Sequence, residues 1–82
     1  MSVMADLEKF LTAEIAAAQG KNALTHDEDL IAQGIIDSLG ILKLVTFMET
    51  RFKIKISNDE IVPENFQTLI ALNAFVEKKM GS

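Results

Sequence analysis

The chain has 82 residues, 49% of them apolar, with 12 acids against 8 bases and a formal charge of −4. A chain this short buries only about 60% of its unfolded surface, so one core is expected, in a single domain over 1–82. Without Cys it has neither disulfides nor thiolate zinc sites. The acidic balance argues against nucleic acid, and the apolar share is too high for a disordered segment.

Asp6 and Glu8 stand where a signal peptide would be basic. No run approaches the ~20 apolar residues of a membrane span. A soluble protein of the cytoplasm is the expectation. Val3, Leu7, Phe10, Leu11, Ile15 and Ala18 recur at helical spacing and predict a first helix over 3–19, with Gly20 as its C-terminal cap. Residues 20–37 show no sustained period. A loop of that length in a compact domain is uncommon and usually functional. Leu30, Ile31, Ile35 and Ile36 suggest that it packs back on the core, with a short turn near 27–32.

A second helix is predicted over 38–52, with Ile41, Leu44, Val45, Met48 and Phe52 as its buried stripe. Asp37 or Ser38 can cap it, since either side chain can accept from the first backbone amides. Residues 52–56 alternate with period two but have no second strand to pair with, so they form an extended connector. Ser57 and Glu60 fit a capping box that opens a very short third helix over 58–62, ended by Pro63. Thr68 caps a fourth helix over 69–80. Its buried face is expected to be Leu69, Leu72, Val76 and Met80, with Phe75 beside it and Asn73 as a polar flaw. The sum is an all-α four-helix bundle: three main helices, one short third helix, and a long loop between the first two.

Few residues here can do chemistry. A Ser-His-acid site would rest entirely on His26, the one imidazole, which lies in a polar loop and is expected to be solvated. A calcium loop starting at Asp27 would need Gly at Ala32 and Glu at Ser38, and has neither. No metal site is expected. The glycines at 20, 34, 40 and 81 are too scattered to cradle a phosphate.

One segment stands out. Gly34-Ile35-Ile36-Asp37-Ser38-Leu39 brings the long loop to the start of an apolar helix. An N-cap alone would explain Asp37 and Ser38. The wider pattern is more specific: Leu30-x-x-x-Gly34-x-x-Asp37-Ser38-Leu39, then Leu44-Val45, then Glu49-x-x-Phe52-x-Ile54-x-Ile56. Glu64-Asn65-Phe66-x-Thr68 and Phe75-Val76 follow. Over nearly its whole length the chain resembles the acyl and peptidyl carrier protein family.

The resemblance implies that Ser38 carries 4′-phosphopantetheine, moved there from coenzyme A by a phosphopantetheinyl transferase. The terminal thiol would hold a cargo as a thioester, chemistry that a chain without Cys must receive from a prosthetic group. It implies a substrate carrier that is not itself an enzyme, acting as a monomer. Its partners would be an adenylating enzyme or acyltransferase, then condensing or modifying enzymes. Asp37 would help the transferase to recognise the site.

Leu42, Thr46 and Leu39 fall about 100°, 140° and 160° around the second helix from Ile41, off the buried stripe. Either the loop covers the two leucines, or they form a docking patch beside Ser38. Carriers of fatty acid synthesis usually have a strongly acidic second helix. Between Leu39 and Phe52 this chain has only Glu49, against Lys43 and Arg51. Residues 1–50 hold 8 acids and 3 bases, and residues 51–82 hold 4 acids and 5 bases. The nearly neutral second helix looks closer to discrete peptidyl or aminoacyl carriers. A stand-alone carrier of a specialised pathway, nonribosomal peptide- or polyketide-like, is the preferred expectation. A fatty acid synthesis carrier is the alternative. A plain helical interaction module and a Ser38 hydrolase are the competing readings outside the family.

Overall fold

The structure, a computed structural model, describes residues 3–16 and 25–81. Helix α1 spans Val3–Phe10 and runs into a π-helical segment, Leu11–Ala16. Helix α2 spans Ser38–Phe52, α3 Pro63–Phe66 and α4 Leu69–Gly81, with a 3-10 turn at Asn58–Glu60 before α3. There is no strand among the described residues. The architecture is the expected all-α four-helix bundle, with three main helices and a short third one. The end of the predicted first helix, Ala18 and the Gly20 cap lie outside the described residues, as does the side chain of Ile15.

Helix α4 packs against α1, α2 and α3, so it is the element around which the others gather. The core joins Leu7 and Leu11, Leu44 and Met48, and Leu69, Leu72, Phe75 and Val76, all buried. Ile41, Val45 and Phe52 complete the α2 stripe as half-buried neighbours. Met80 departs from expectation: it is 52% exposed. It belongs to the last turn of α4, beyond the buried Val76, where the helix outruns the core.

The third helix also differs. Residues 58–60 form only a 3-10 turn, and α3 starts at Pro63 rather than stopping there. Proline is well suited to a first helical position, where its missing N–H would have no intrahelical acceptor anyway. Thr68 caps α4 as expected, its Oγ1 accepting the Ala71 N–H at 3.0 Å. Asn73 is half-buried and donates from Nδ2 to Glu77 Oε1 at 3.5 Å, which takes its polar end along the helix surface.

The connector after α2 is extended. Lys53 ends the helix in the left-handed region (φ 56°, ψ 47°). The Glu49 carboxylate then accepts the Ile56 N–H at 2.9 Å. A helix side chain thus takes the place of a paired strand. Ile54 and Ile56 pack against the core, and Lys53 and Lys55 stay exposed, which accounts for the period-two pattern.

Glu60 ties two elements together. Its Oε1 accepts the Ser57 N–H at 3.0 Å, and Lys79 Nζ on α4 donates to both carboxylate oxygens, at 2.8 and 3.0 Å. The Lys79 hydrogen bond, followed by that from Ser57, holds the Glu60 carboxyl below its ordinary value of 4.5. A carboxyl lowered in the folded state stabilises the fold above its unfolded pKa, and that contribution is lost as pH falls through the folded value. The urea midpoint of Glu60→Gln is therefore expected to lie below that of the parent at pH 7. At pH 3 the gap should narrow.

Candidate functional site at the start of helix α2

The loop reaches α2 through buried anchors. Leu30, Ile35 and Ile36 are 0%, 3% and 2% exposed, and Ile31 is half-buried. The Leu30 carbonyl accepts the amides of Ile35 and Ile36 at 2.9 and 3.0 Å, closing a turn over 30–36. Gly34 within it has φ +73°, a conformation that costs a residue with a Cβ about 1–2 kcal/mol. Two bonds pin the loop to the α3–α4 junction: Leu30 N–H to the Gln67 carbonyl at 2.7 Å, and Ile70 N–H to the His26 carbonyl at 3.1 Å. The chain therefore enters α2 from a braced segment.

Asp37 is the N-cap, with extended backbone (φ −108°, ψ −171°). Its Oδ1 accepts the Gly40 N–H at 2.8 Å, and its carbonyl accepts the Ile41 N–H at 2.9 Å. Of the two candidate caps, Asp37 takes the role, and Ser38 becomes the first helical residue. Ser38 is exposed, and Gly40, two residues on and on the opposite side of the helix, is buried. The amides of Ser38 and Leu39 belong to the first turn, whose donors have no acceptor within the helix. Asp37→Ala is expected to lower stability by about 1 kcal/mol through loss of the cap. Urea unfolding checks this, with Asp37→Asn keeping most of the loss at bay.

Leu39 and Leu42 are 61% and 60% exposed. Residues 25–37 therefore do not cover them. Thr46, also exposed, turns its Oγ1 back to the Leu42 carbonyl at 3.0 Å. Leu39, Leu42 and Thr46 thus share one exposed face of α2, which runs from the end where Asp37 and Ser38 lie. Phe47 has no role in the predicted stripe. It stacks on Phe10 of α1, with ring centroids 4.2 Å apart and planes at 15°. The signal was present as a phenylalanine off the buried stripe, but its partner is 37 positions away and no local period could name it.

His26 is exposed, with Nε2 3.3 Å from Glu8 Oε1 on α1. Among the described residues no group of three His, Asp or Glu side chains is placed to hold a metal ion. No helix among them is long and apolar enough to cross a membrane.

No protein-family model matches the chain. Curated relatives do. D-alanyl carrier proteins of Streptococcus pyogenes serotype M5 (strain Manfredo), serotype M49 (strain NZ131) and serotype M1 are each 35% identical to it over 52 residues. Over these residues the chain is similar to carrier proteins. The aligned part is 63% of this chain and 66% of each relative, just under two thirds of the relatives' length. The carrier protein family resemblance carried by the residues around Ser38 and the all-helical architecture agree with this match.

Proposed function

We propose that the chain is a discrete carrier protein that holds an acyl or aminoacyl cargo as a thioester on 4′-phosphopantetheine attached to Ser38. The observation that carries this reading is the position of Ser38: exposed, first in α2, and preceded by a segment that His26 and Leu30 pin to the α3–α4 junction. When bound, the prosthetic group supplies the thiol that a chain without Cys lacks.

The residues fit a phosphodiester. The N-terminus of a 15-residue helix carries positive partial charge and first-turn amides, a favourable field for an anion. Asp37 is an anion next to that position, but its carboxylate is already engaged with the Gly40 N–H. Its charge is thus partly offset by the same helix end. Asp37 would serve two ends, capping α2 and marking the site for the phosphopantetheinyl transferase. Leu39, Leu42 and Thr46 would meet the partner enzymes.

The cargo we favour is an amino acid activated by an adenylating enzyme. The curated relatives are named for D-alanine, which supports an aminoacyl load and makes D-alanine the first to try. The nearly neutral α2 supports the same choice over a fatty acid synthesis carrier.

Incubation with coenzyme A and a broad transferase, followed by intact-protein mass spectrometry, tests the carrier reading. One phosphopantetheinyl group per chain is expected, and an unchanged mass would sink it. The holo chain then separates the loads. Loading by amino-acid-adenylating enzymes supports the aminoacyl cargo, and efficient loading only by a malonyl-transfer enzyme overturns it.

A further inference from the structure

A groove of about 650 Å³ lies between α1 and α2. It opens at Leu42, one turn beyond Ser38, and its lining reaches Arg51, about 14 Å further along the helix. The stacked rings of Phe10 and Phe47 form its apolar wall. Its apolar wall and its length along α2 suit a short amphipathic helix, a recurrent occupant of such grooves.

The charges on the rim select the occupant. Lys43 is exposed on the groove at the Ser38 end. Arg51 stands at the other end, where its guanidinium lies 3.2 Å from Asp6. Glu14 is the acid on the rim, and it comes from the α1 side. On α2 itself the one carboxylate, Glu49, is half-buried and accepts the Ile56 N–H. The α2 side therefore offers cations and apolar surface, although the chain as a whole carries −4. A basic partner helix would meet Lys43 with no exposed carboxylate on α2 to pair with.

We propose that this groove seats an apolar–acidic helix of a partner protein. Its apolar residues lie over Phe10, Phe47 and Leu42, and a carboxylate reaches Lys43. The proposal deepens the partner face of the carrier reading. Its test needs no prosthetic group, so it can run on a Ser38→Ala chain and fail separately from that reading.

The probes are two fluorescein-labelled, 16-residue helical peptides of identical composition and net charge, with one leucine stripe. In one, glutamates flank the stripe and lysines lie opposite; in the other these positions are exchanged. Equal net charge cancels the long-range pull of the acidic protein. Fluorescence anisotropy on the full chain should show the glutamate-flanked peptide binding about fivefold tighter, the upper range for a rim ion pair. Higher salt should shrink that preference. Lys43→Glu should reverse it, and Leu42→Asp should weaken both peptides. Both side chains are exposed, and thermal melts check that the variants stay folded. In the unsubstituted chain, amide shifts on binding should centre on Leu42, Thr46 and Phe47. Equal affinities, the opposite preference, no binding of either peptide, or shifts centred elsewhere would overturn the proposal.

Discussion

Ser38→Ala is expected to take up no phosphopantetheine from coenzyme A under conditions that convert the parent chain fully. The loss is all-or-none because the substitution removes the oxygen to which the group would be joined. The fold should not suffer. Ser38 is exposed, and the N-cap bond belongs to Asp37, so its hydroxyl is not needed to start α2. Alanine also has the highest helix propensity. A surface change of this kind stays within about 0.5 kcal/mol. The decisive measurement pairs the mass of the treated chain with its melting temperature. A mass gain that persists in Ser38→Ala would place the attachment elsewhere. Asp37→Ala gives the contrast: a folded chain of lower stability, modified more slowly at temperatures where both are native. Equal rates would leave Asp37 with its structural role alone.

The helices that carry the core were legible because their signal is local. Leu44 and Met48 recur at helical spacing, and so do Leu69, Leu72 and Val76, and all are buried. Leu30, Ile35 and Ile36 follow no period, yet an apolar cluster in a polar loop announced that it would pack inward. The errors arose where local rules compete. Pro63 ends a helix interior but favours a helix start, and only the packing of Phe66 decides between them. Met80 kept the α4 spacing, but spacing does not say where the partner surface ends. At the site, the type and position of Asp37 and Ser38 were readable, while the division of labour between them depends on a 2.8 Å bond to Gly40. The groove was not readable at all. It needs Phe10 and Phe47 brought together from two helices, and sequence periodicity is blind to such pairs.

Phe66→Ala should be the most damaging single change in the core outside the main helices. Phe66 is 1% exposed, and its ring lies 5.9 Å from that of Phe75 on α4. A four-residue helix has almost no stability of its own, because nucleation outweighs the one or two bonds gained. It follows that α3 is held by what Phe66 buries. Truncation of a buried phenylalanine costs about 3–5 kcal/mol. That is a large part of the roughly 5–15 kcal/mol that a domain has in total. For a chain of this size the melting temperature should drop by roughly 12 °C or more. Phe66→Leu, which keeps most of the apolar volume, should lose much less. The consequence reaches the start of α2. The next residue, Gln67, accepts the Leu30 N–H at 2.7 Å, and Leu30 closes the turn that leads to Asp37 and Ser38. Loosening α3 therefore loosens the approach to α2. Hydrogen exchange checks this link: in Phe66→Ala the amides of Leu30, Ile35 and Ile36 should lose more protection than those in the middle of α2. A uniform loss across the chain would mean that the loop is braced by the core as a whole and not through α3.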